Sequence, residues 1–303
     1  VLDERLGHEA TTRAAEIETY FARSRDILLL TANNPAFSEF YDTPSTSRDE
    51  RLAANAVAVR EANDALAYVN NLFSNRISEV CFIDRTGAEN ARNVGGHTAR
   101  LDELSLDESE NEFFEPTFAL AAGEVYQARR YMSPDTSQWV VSSSTVVVGA
   151  DGSRAMLHLE TLLDSFTRVA NPLPNANYLI VDADTGVLLS DSSAAPGSEA
   201  ADGMLDPDVL ARFTNTKSVT GHTTTEGNRY AYVRLSAAPN NENRWVIAVS
   251  TPALGGGVQA YMSAVTIIPL VCGLVLFIFA LLSTRAYRRR LQHAAVYDSL
   301  TQL

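Results

Sequence analysis

Lysine is all but missing from this 303-residue chain: Lys217 is the only one, so arginine carries almost all of the positive charge. Four of the 24 basic and one of the 37 acidic side chains follow Ala264, which leaves the first 263 residues with 20 basic and 36 acidic groups and a net charge of −16. So acidic a body argues against a nucleic-acid surface, which needs clustered Lys and Arg against phosphate, and suits a solvated exterior. Cysteine is nearly as scarce. Cys81 falls in a strand-like run and Cys272 in a long apolar run, so neither a disulfide framework nor a metal cluster is expected from the two. The chain has no Walker loop, no Cys/His metal spacing and no GxSxG elbow. Its five histidines, His8, His97, His158, His222 and His293, are scattered singly and read as surface or packing residues. No catalytic constellation remains, so the chain itself is expected to turn over nothing.

A charge-free run is present instead. "AVTIIPLVCGLVLFIFALL", Ala264 to Leu282, is nineteen residues long. At ~1.5 Å per residue it spans about 28 Å, close to the hydrocarbon thickness of a bilayer. Arg285, Arg288, Arg289 and Arg290 follow it, while the acidic body precedes it. The positive-inside rule then places residues 1–263 outside the cell membrane and the C-terminal end in the cytoplasm. The opening "VLDERLGHEA" has neither a charged n-region nor an apolar h-region, so it is no signal peptide, and a first membrane helix is expected before Val1.

Periodicity divides the outer part. Leu6, Ala10, Ile17, Phe21 and Leu28 recur at three- and four-residue steps, one face of a long helix from about Asp3 to Thr31. "NNPAF" ends it, and Ser47 with Glu50 makes a capping box for a second helix with Leu52, Ala56, Val59, Leu66 and Phe73 on one face. Asn63 and Asn70 on that stripe suggest a partner seam. Beyond residue 75 the period shortens. "SEVCFIDRTGAENAR" from Ser78 reads as strand, Thr-Gly turn, strand, and "NYLIVDADTGVLLSD" from Asn177 repeats the plan. The last apolar residues of the two first strands, Ile83 and Val181, are 98 positions apart. Two tryptophan strands, "QWVVSSSTVV" and "RWVIAVS", are 106 apart. Two elements recurring in order indicate a duplicated α/β module, with Pro172 and Pro174 in the crossing segment.

A long helix, two hairpin-rich modules and a membrane helix resemble the double Cache sensors of bacterial receptors, on the "FIDRTG…NAR" and "QWVVSS" stretches. The fold class expected is α+β: a long N-terminal helix plus two tandem PAS-like antiparallel-sheet modules, followed by one transmembrane helix. Residues 1–75 would be the helical stalk, 76–170 the membrane-distal module, 171–253 the membrane-proximal module, 264–282 the membrane span and 283–303 a cytoplasmic signalling helix. The ending "AVYDSLTQL" is similar to the opening of GGDEF diguanylate cyclase domains: Asp298, Leu300, Thr301 and Leu303 match, and Gln302 departs where Gly is usual. The resemblance implies a homodimeric sensor coupled to a cyclase joining two GTP molecules into cyclic di-GMP. A histidine kinase or chemoreceptor output, or a tethered adhesion domain, are the alternatives. No cofactor is implied for this chain; Mg and GTP would belong to the cyclase domain.

In such sensors the distal module holds the signal. "YQARRYMSPDTSQW", read as one strand, puts Gln127, Arg129 and Tyr131 on one face. Arg129, Tyr131, Trp139, Phe114 and Asp84 are the candidate ligand-binding residues, although Asp84, like Asp182 and Asp184, also fits a turn cap. Amino-acid-binding members present an Arg-x-Trp-Tyr signature; here "SENEFFEPTF" supplies Phe113 and Phe114 with an acidic residue in place of the arginine. With Arg129 as the cationic group, the expected signal is a small planar or weakly anionic metabolite rather than an α-amino acid. The run Gly255-Gly256-Gly257 reads as a flexible link before the membrane helix.

The topology predicts that a cysteine at Ser192 reacts with an impermeant thiol reagent on intact cells and one at Gln292 does not; the reverse pattern would overturn the orientation.

Overall fold

The computed structural model describes residues 2–42, 47–149, 151–167, 173–193, 203–225, 227–236, 238–253 and 264–296, the last segment by its backbone alone at 264–270 and 293–296. The chain forms two units: residues 1–223 with 229–251, and residues 224–228 with 252–303.

The first unit is threaded by helix α1, Leu2–Ala32, whose buried face is Leu6, Ala10, Ala14, Ile17, Phe21, Ser24, Leu28 and Thr31. Thirty-one residues give about 46 Å of rod. Asn34 caps a short turn, α2 (Pro35–Ser38), by accepting from the Ala36 amide. Ser47 caps α3 (Arg48–Ala54) through the Glu50 amide at 3.2 Å. The second long helix expected from Ser47 is interrupted. Asn55 leaves the helical region at φ −127°, ψ 63°, and its side chain restarts the chain as α4 (Ala56–Leu72) by accepting from the Ala58 amide. A short polar side chain that competes for backbone donors is the physical reason. The restart turns the buried face to Ala58, Ala62, Ala65, Leu66, Val69 and Asn70, leaving Ala56 exposed. Asn70 is buried within the protomer rather than on an exposed seam.

Two antiparallel sheets follow. The first contains β1 (Ile77–Asp84), β2 (Glu89–Val94), β3 (His97–Thr98), β4 (Val125–Gln127), β5 (Tyr131–Met132), β6 (Trp139–Val148) and β7 (Arg154–Leu162). Its order is β3-β2-β1-β7-β6-β4, with β5 also on β6. The second contains β8 (Asn177–Asp182), β9 (Leu188–Asp191), β10 (Thr220–Thr224), β11 (Asn228–Arg234) and β12 (Trp245–Pro252), ordered β10-β11-β12-β8-β9. Reversed, this matches the run β2-β1-β7-β6-β4, so the sheets are copies. The hairpin repeat is real: Asp84 Oδ1 accepts from the Thr86 and Ala88 amides and Asp182 Oδ1 from those of Asp184 and Thr185. Gly87 and Gly186 follow at φ +95° and +76°. A Cβ on Gly87 would sit 2.6 Å from Asp107 Oδ1 and 2.9 Å from the Ser109 amide, so this turn requires glycine. The tryptophan repeat is not a structural equivalence. Trp245 opens β12, which pairs with β8 as β7 pairs with β1, whereas Trp139 opens β6. Both strands open on a tryptophan and are buried on two faces, so that pattern alone does not tell one from the other.

Each sheet has one face against α1. Phe82, Val80, Leu157 and Leu159 meet α1 and α4 in one core with Leu28, Leu66 and Phe37. Ile180, Trp245, Ile247 and Val249 meet the earlier turns of α1 in another, with Phe21 and the Trp245 rings 5.0 Å apart. The opposite face of the second sheet is closed by α7 (Pro207–Thr214), through Val209 and Phe213. That of the first sheet is closed by α5 (Phe114–Ala119) and the loop before it, through Phe113, Phe114 and Phe118. A short helix, α6 (Asp164–Thr167), follows β7.

The second unit is dominated by α8, Ala264–Val296, a 33-residue helix long and apolar enough to cross a membrane by length and composition. The Gly255–Gly257 run and Asp298 to Leu303 lie outside the described residues.

Trp245 is 1% exposed and wedged between Phe21 and Phe166. Trp245→Ala should cost about 3–5 kcal/mol, read as a loss of unfolding midpoint; a change below about 1 kcal/mol would mean that this core is not shared with α1.

Candidate functional site

A line of polar side chains crosses the otherwise apolar second face of the first sheet. Strand alternation places Glu79 and Cys81 of β1, Met156, His158 and Glu160 of β7, and Ser142 and Ser144 of β6 on that face. The register aligns them in rows, Glu79 beside Glu160 beside Ser142, and Cys81 beside His158 beside Ser144. All are buried. On the far side of β1, Arg92 stands opposite Cys81, and a bulge in β2 turns Glu89 toward Ile83.

These groups form a connected network. His158 Nδ1 lies 2.8 Å from Ser144 Oγ and its Nε2 2.9 Å from the Tyr131 hydroxyl. Tyr131 donates to Glu160 Oε1 at 2.7 Å, and Ser78 donates to Glu160 Oε2 at 3.1 Å. Because the Tyr131 proton goes to Glu160, Nε2 of His158 carries the imidazole proton and Nδ1 accepts from Ser144. The Phe113 ring stacks on His158 at 3.8 Å and faces Tyr131 at 6.4 Å. Arg92 pairs with Asp135 at 3.1 Å and Glu89 at 3.5 Å, and Glu89 also accepts from the Ser105 amide at 2.7 Å.

Burial perturbs three carboxyls, a tyrosine and a histidine here. Desolvation pushes Glu79 up to about 10, reinforced by the charges of Glu160, Asp135 and Glu89. It pushes Glu89 up to about 7 against the opposing Ser105 amide and Arg92, raises Glu160 and Tyr131, and lowers His158 to about 3, so the imidazole is neutral. Donor atoms of Glu79, Cys81 and Glu89 lie within 4.8 Å of one another, a trio whose chemistry could hold a divalent cation. The sequence offered no metal spacing because these donors come from two strands joined through a bulge.

Of the five ligand-binding candidates, Tyr131 lies in this network. Phe114 lies in the apolar floor beside it, but Phe113 supplies the ring against His158. The other three are elsewhere. Asp84 is spent on its turn, accepting from Thr86 and Ala88. Trp139 is half-buried on the α1 side under Arg130, 4.2 Å from its ring. Arg129 is an exposed residue paired with Asp184 of the second sheet at 2.9 Å. The expected single strand is broken at residues 128–130: β4 ends at Gln127, whose amide donates to Asn240 O and whose carbonyl accepts from the Glu242 amide. The Gln127 side chain faces α1, donating to Phe21 O, while Tyr131 faces the opposite side. A backbone drawn out to bond a neighbouring loop has no reason to keep a strand's two-residue period. His158 and Glu160 were legible in "AMLHLET" as polar residues two apart in an apolar strand.

A roomier groove, about 830 Å³, runs between α1 and the second sheet, lined by Arg13, Arg23, Arg76, Tyr20, Phe166 and Tyr178 among others. It is open to solvent, unlike the buried network.

No family model and no curated protein matches the sequence. Solved structures match the fold. The extracellular domain of vpHK1S-Z8, assigned as a histidine kinase, is 13% identical with a TM-score of 0.63, over 83% of this chain and 93% of that one. A domain assigned to a sensory box/GGDEF family protein of Vibrio parahaemolyticus is 13% identical with a TM-score of 0.61, over 82% and 97%. The ligand-binding domain of the Campylobacter jejuni chemoreceptor Tlp3, in complex with 4-methylisoleucine, is 10% identical with a TM-score of 0.60, over 83% and 91%. The chain has the fold of these sensory domains. At such identities the likeness establishes the α+β architecture and leaves the ligand to the residues of the site.

The network also sets a pH dependence. Glu79 and Glu89 bind protons more tightly folded than unfolded, so the stability they contribute is complete below about pH 4.5 and is lost as pH rises, through about 7 for Glu89 and about 10 for Glu79. His158 acts oppositely, losing stability as pH falls from 6.5 to about 3. Between about pH 8 and 9, above the loss of the Glu89 proton, Glu79 is the one of these three that keeps a proton when folded and not when unfolded, so stability should fall by up to about 1.4 kcal/mol per pH unit. Glu79→Gln should remove most of that slope in thermal unfolding; an unchanged slope would place the titration elsewhere.

Proposed function

We propose that residues 1–263 form an extracytoplasmic receptor for a small molecule, and that α8 carries its signal across the membrane to a cytoplasmic output. The carrying observation is the buried network of Glu79, Glu89, Tyr131, His158 and Glu160 on the sheet face away from α1. A protein spends stability on buried ionisable groups where function requires them, and the fold around them is that of sensory domains, one of them solved with a bound amino-acid derivative.

The geometry supplies a path out of the site. Tyr131 follows directly on the segment that ties the two sheets together. Gln127 exchanges two backbone hydrogen bonds with Asn240 and Glu242, of 2.8 and 2.9 Å. The Asn243 side chain donates to Ala128 O at 2.8 Å, and Arg129 holds Asp184. A ligand that moves Tyr131 therefore pulls on the loop leading into β12, the strand that precedes the membrane helix. Helix α1, packed on both sheets, offers a second rigid route.

For the output, "AVYDSLTQL" supports a diguanylate cyclase in a homodimer, with GTP and Mg²⁺ belonging to that domain; no residue of this chain is assigned to either. Histidine kinase and chemoreceptor outputs accompany the same fold in other proteins and are the rival readings. Coding sequence beyond Leu303 tests this directly: a GG-acidic-EF run supports the cyclase, and an H-box or a heptad hairpin overturns it.

The receptor reading is tested by hydrogen exchange on the full chain in lipid nanodiscs against a library of amines, amino acids, organic acids and purines. A true ligand should protect residues 131–133 and 156–160 and also alter exchange at 240–243. Protection confined to the groove between α1 and the second sheet would overturn the assignment.

A further inference from the structure

The buried network is short of positive charge. Glu79, Glu89, Glu160 and Asp135 converge on one sheet face, and Arg92 answers two of them, Glu89 and Asp135. Glu79 faces a further carboxyl, that of Asp135. Glu160 is held by neutral donors, the hydroxyls of Tyr131, Ser78 and Ser133. Arg92 thus answers two of the four converging carboxyls and neutral hydroxyls hold Glu160, an arrangement that costs stability until a cation enters.

A second observation concerns the same row of the sheet. Ser142 Oγ is fully buried, sits in the row of Glu160, and makes no hydrogen bond of normal geometry, although it lies beside the Tyr131 hydroxyl. A buried hydroxyl left in that state calls for a donor or acceptor from outside the chain. Aromatic faces complete the surroundings, with Phe113 stacked on the neutral imidazole of His158 and 6.4 Å from Tyr131. Acceptor oxygens together with ring faces are the chemistry that recognises an ammonium group. Among the described residues of this network the arginine is Arg92, already paired with Glu89 and Asp135. The stretch Ser109 to Phe118 contains three glutamates and no arginine, and Arg129 is engaged at the surface with Asp184.

Resting on the receptor reading above, we propose that the molecule bound at this site is an organic cation, a protonated primary amine without a carboxylate, whose ammonium is held by Glu160 and Ser142 Oγ beside Tyr131 and Phe113. This replaces the weakly anionic signal expected when Arg129 stood for the cationic group. The three N–H donors of the ammonium meet the Glu160 carboxylate, the idle Ser142 oxygen and the Tyr131 oxygen, and its charge offsets part of the surplus.

The test uses the full chain in nanodiscs, with butylamine, putrescine and phenethylamine compared by calorimetric titration and thermal shift with butanol, butyrate, L-norvaline and zinc chloride. Amines should bind, and butanol and butyrate should not. Glu160→Gln keeps the shape of the side chain and should weaken amine binding roughly 10- to 150-fold, the loss expected for a hydrogen bond to a charged group. Arg129→Ala should leave it unchanged. The ranking of amine over alcohol in the unaltered protein stands even if a variant fails to fold. Tighter binding of butyrate or L-norvaline, or amine binding undiminished in a folded Glu160→Gln, would overturn the cation while leaving a receptor. Stabilisation by zinc chloride alone, lost in Cys81→Ser, would overturn it in favour of a metal at Glu79, Cys81 and Glu89.

Discussion

One stripe of side chains on α1 serves two cores. Leu6, Ala10, Ala14, Ile17 and Phe21 belong to the core of the second sheet, and Leu28 to that of the first. Neither sheet closes its inner face without this helix: Trp245 packs on Phe21, and Phe82 lies in the same core as Leu28. At ~1.5 Å per residue the helix is a stiff rod of about 46 Å. A displacement of one sheet along that rod is resisted by close-packed side chains at the other. The order of the modules, the position of the ties between them, and the placing of the site on the opposite face all follow from this shared spine.

With the inner face given to hydrophobic burial, the outer face of the first sheet is free to carry chemistry. The contrast between the two sheets is the clearest sign of it. On the outer face of the second, Leu179, Val181, Tyr230, Tyr232, Val246 and Ala248 close against α7 as an ordinary core. On the outer face of the first, Ile83, Met156 and Phe118 form an apolar half, and Glu79, His158, Glu160, Ser142 and Ser144 the other. Two copies of one fold have thus divided the work, one filled for stability and one left polar. Desolvation is the common cause of the raised carboxyls and the neutral imidazole, and any ligand that supplies compensating charge binds at their expense.

Beyond α1, the buried ties between the modules all engage backbone, the Asn243 side chain donating to Ala128 O among them. Gln127 pairs with Asn240 and Glu242, while the Arg129–Asp184 pair is exposed. An exposed ion pair contributes on the order of 0–1 kcal/mol and is screened by salt. Backbone bonds at a fixed register are geometrically stricter, so the tie transmits position more than it supplies energy.

The sequence by itself determined what depends on local periodicity and local sterics. The 3–4 spacing from Leu6 to Leu28 fixed α1, the Asp-capped Thr-Gly turns fixed both hairpins, Ser47 and Glu50 fixed a cap, and nineteen uncharged residues fixed a span of membrane length. Helix-interrupting Asn55 was visible but unread, because a single asparagine is tolerated in many helices. What only the tertiary structure decided was everything set by register between distant strands. Cys81 meets His158, and Glu79 meets Glu160, because β1 lies against β7 across some seventy residues of chain. No local pattern states that pairing. The same is true of Arg129 and Gln127: which way they point is settled by a loop more than a hundred residues later that captures the backbone of β4. Strand alternation names two faces, and only the fold says which one is buried against what.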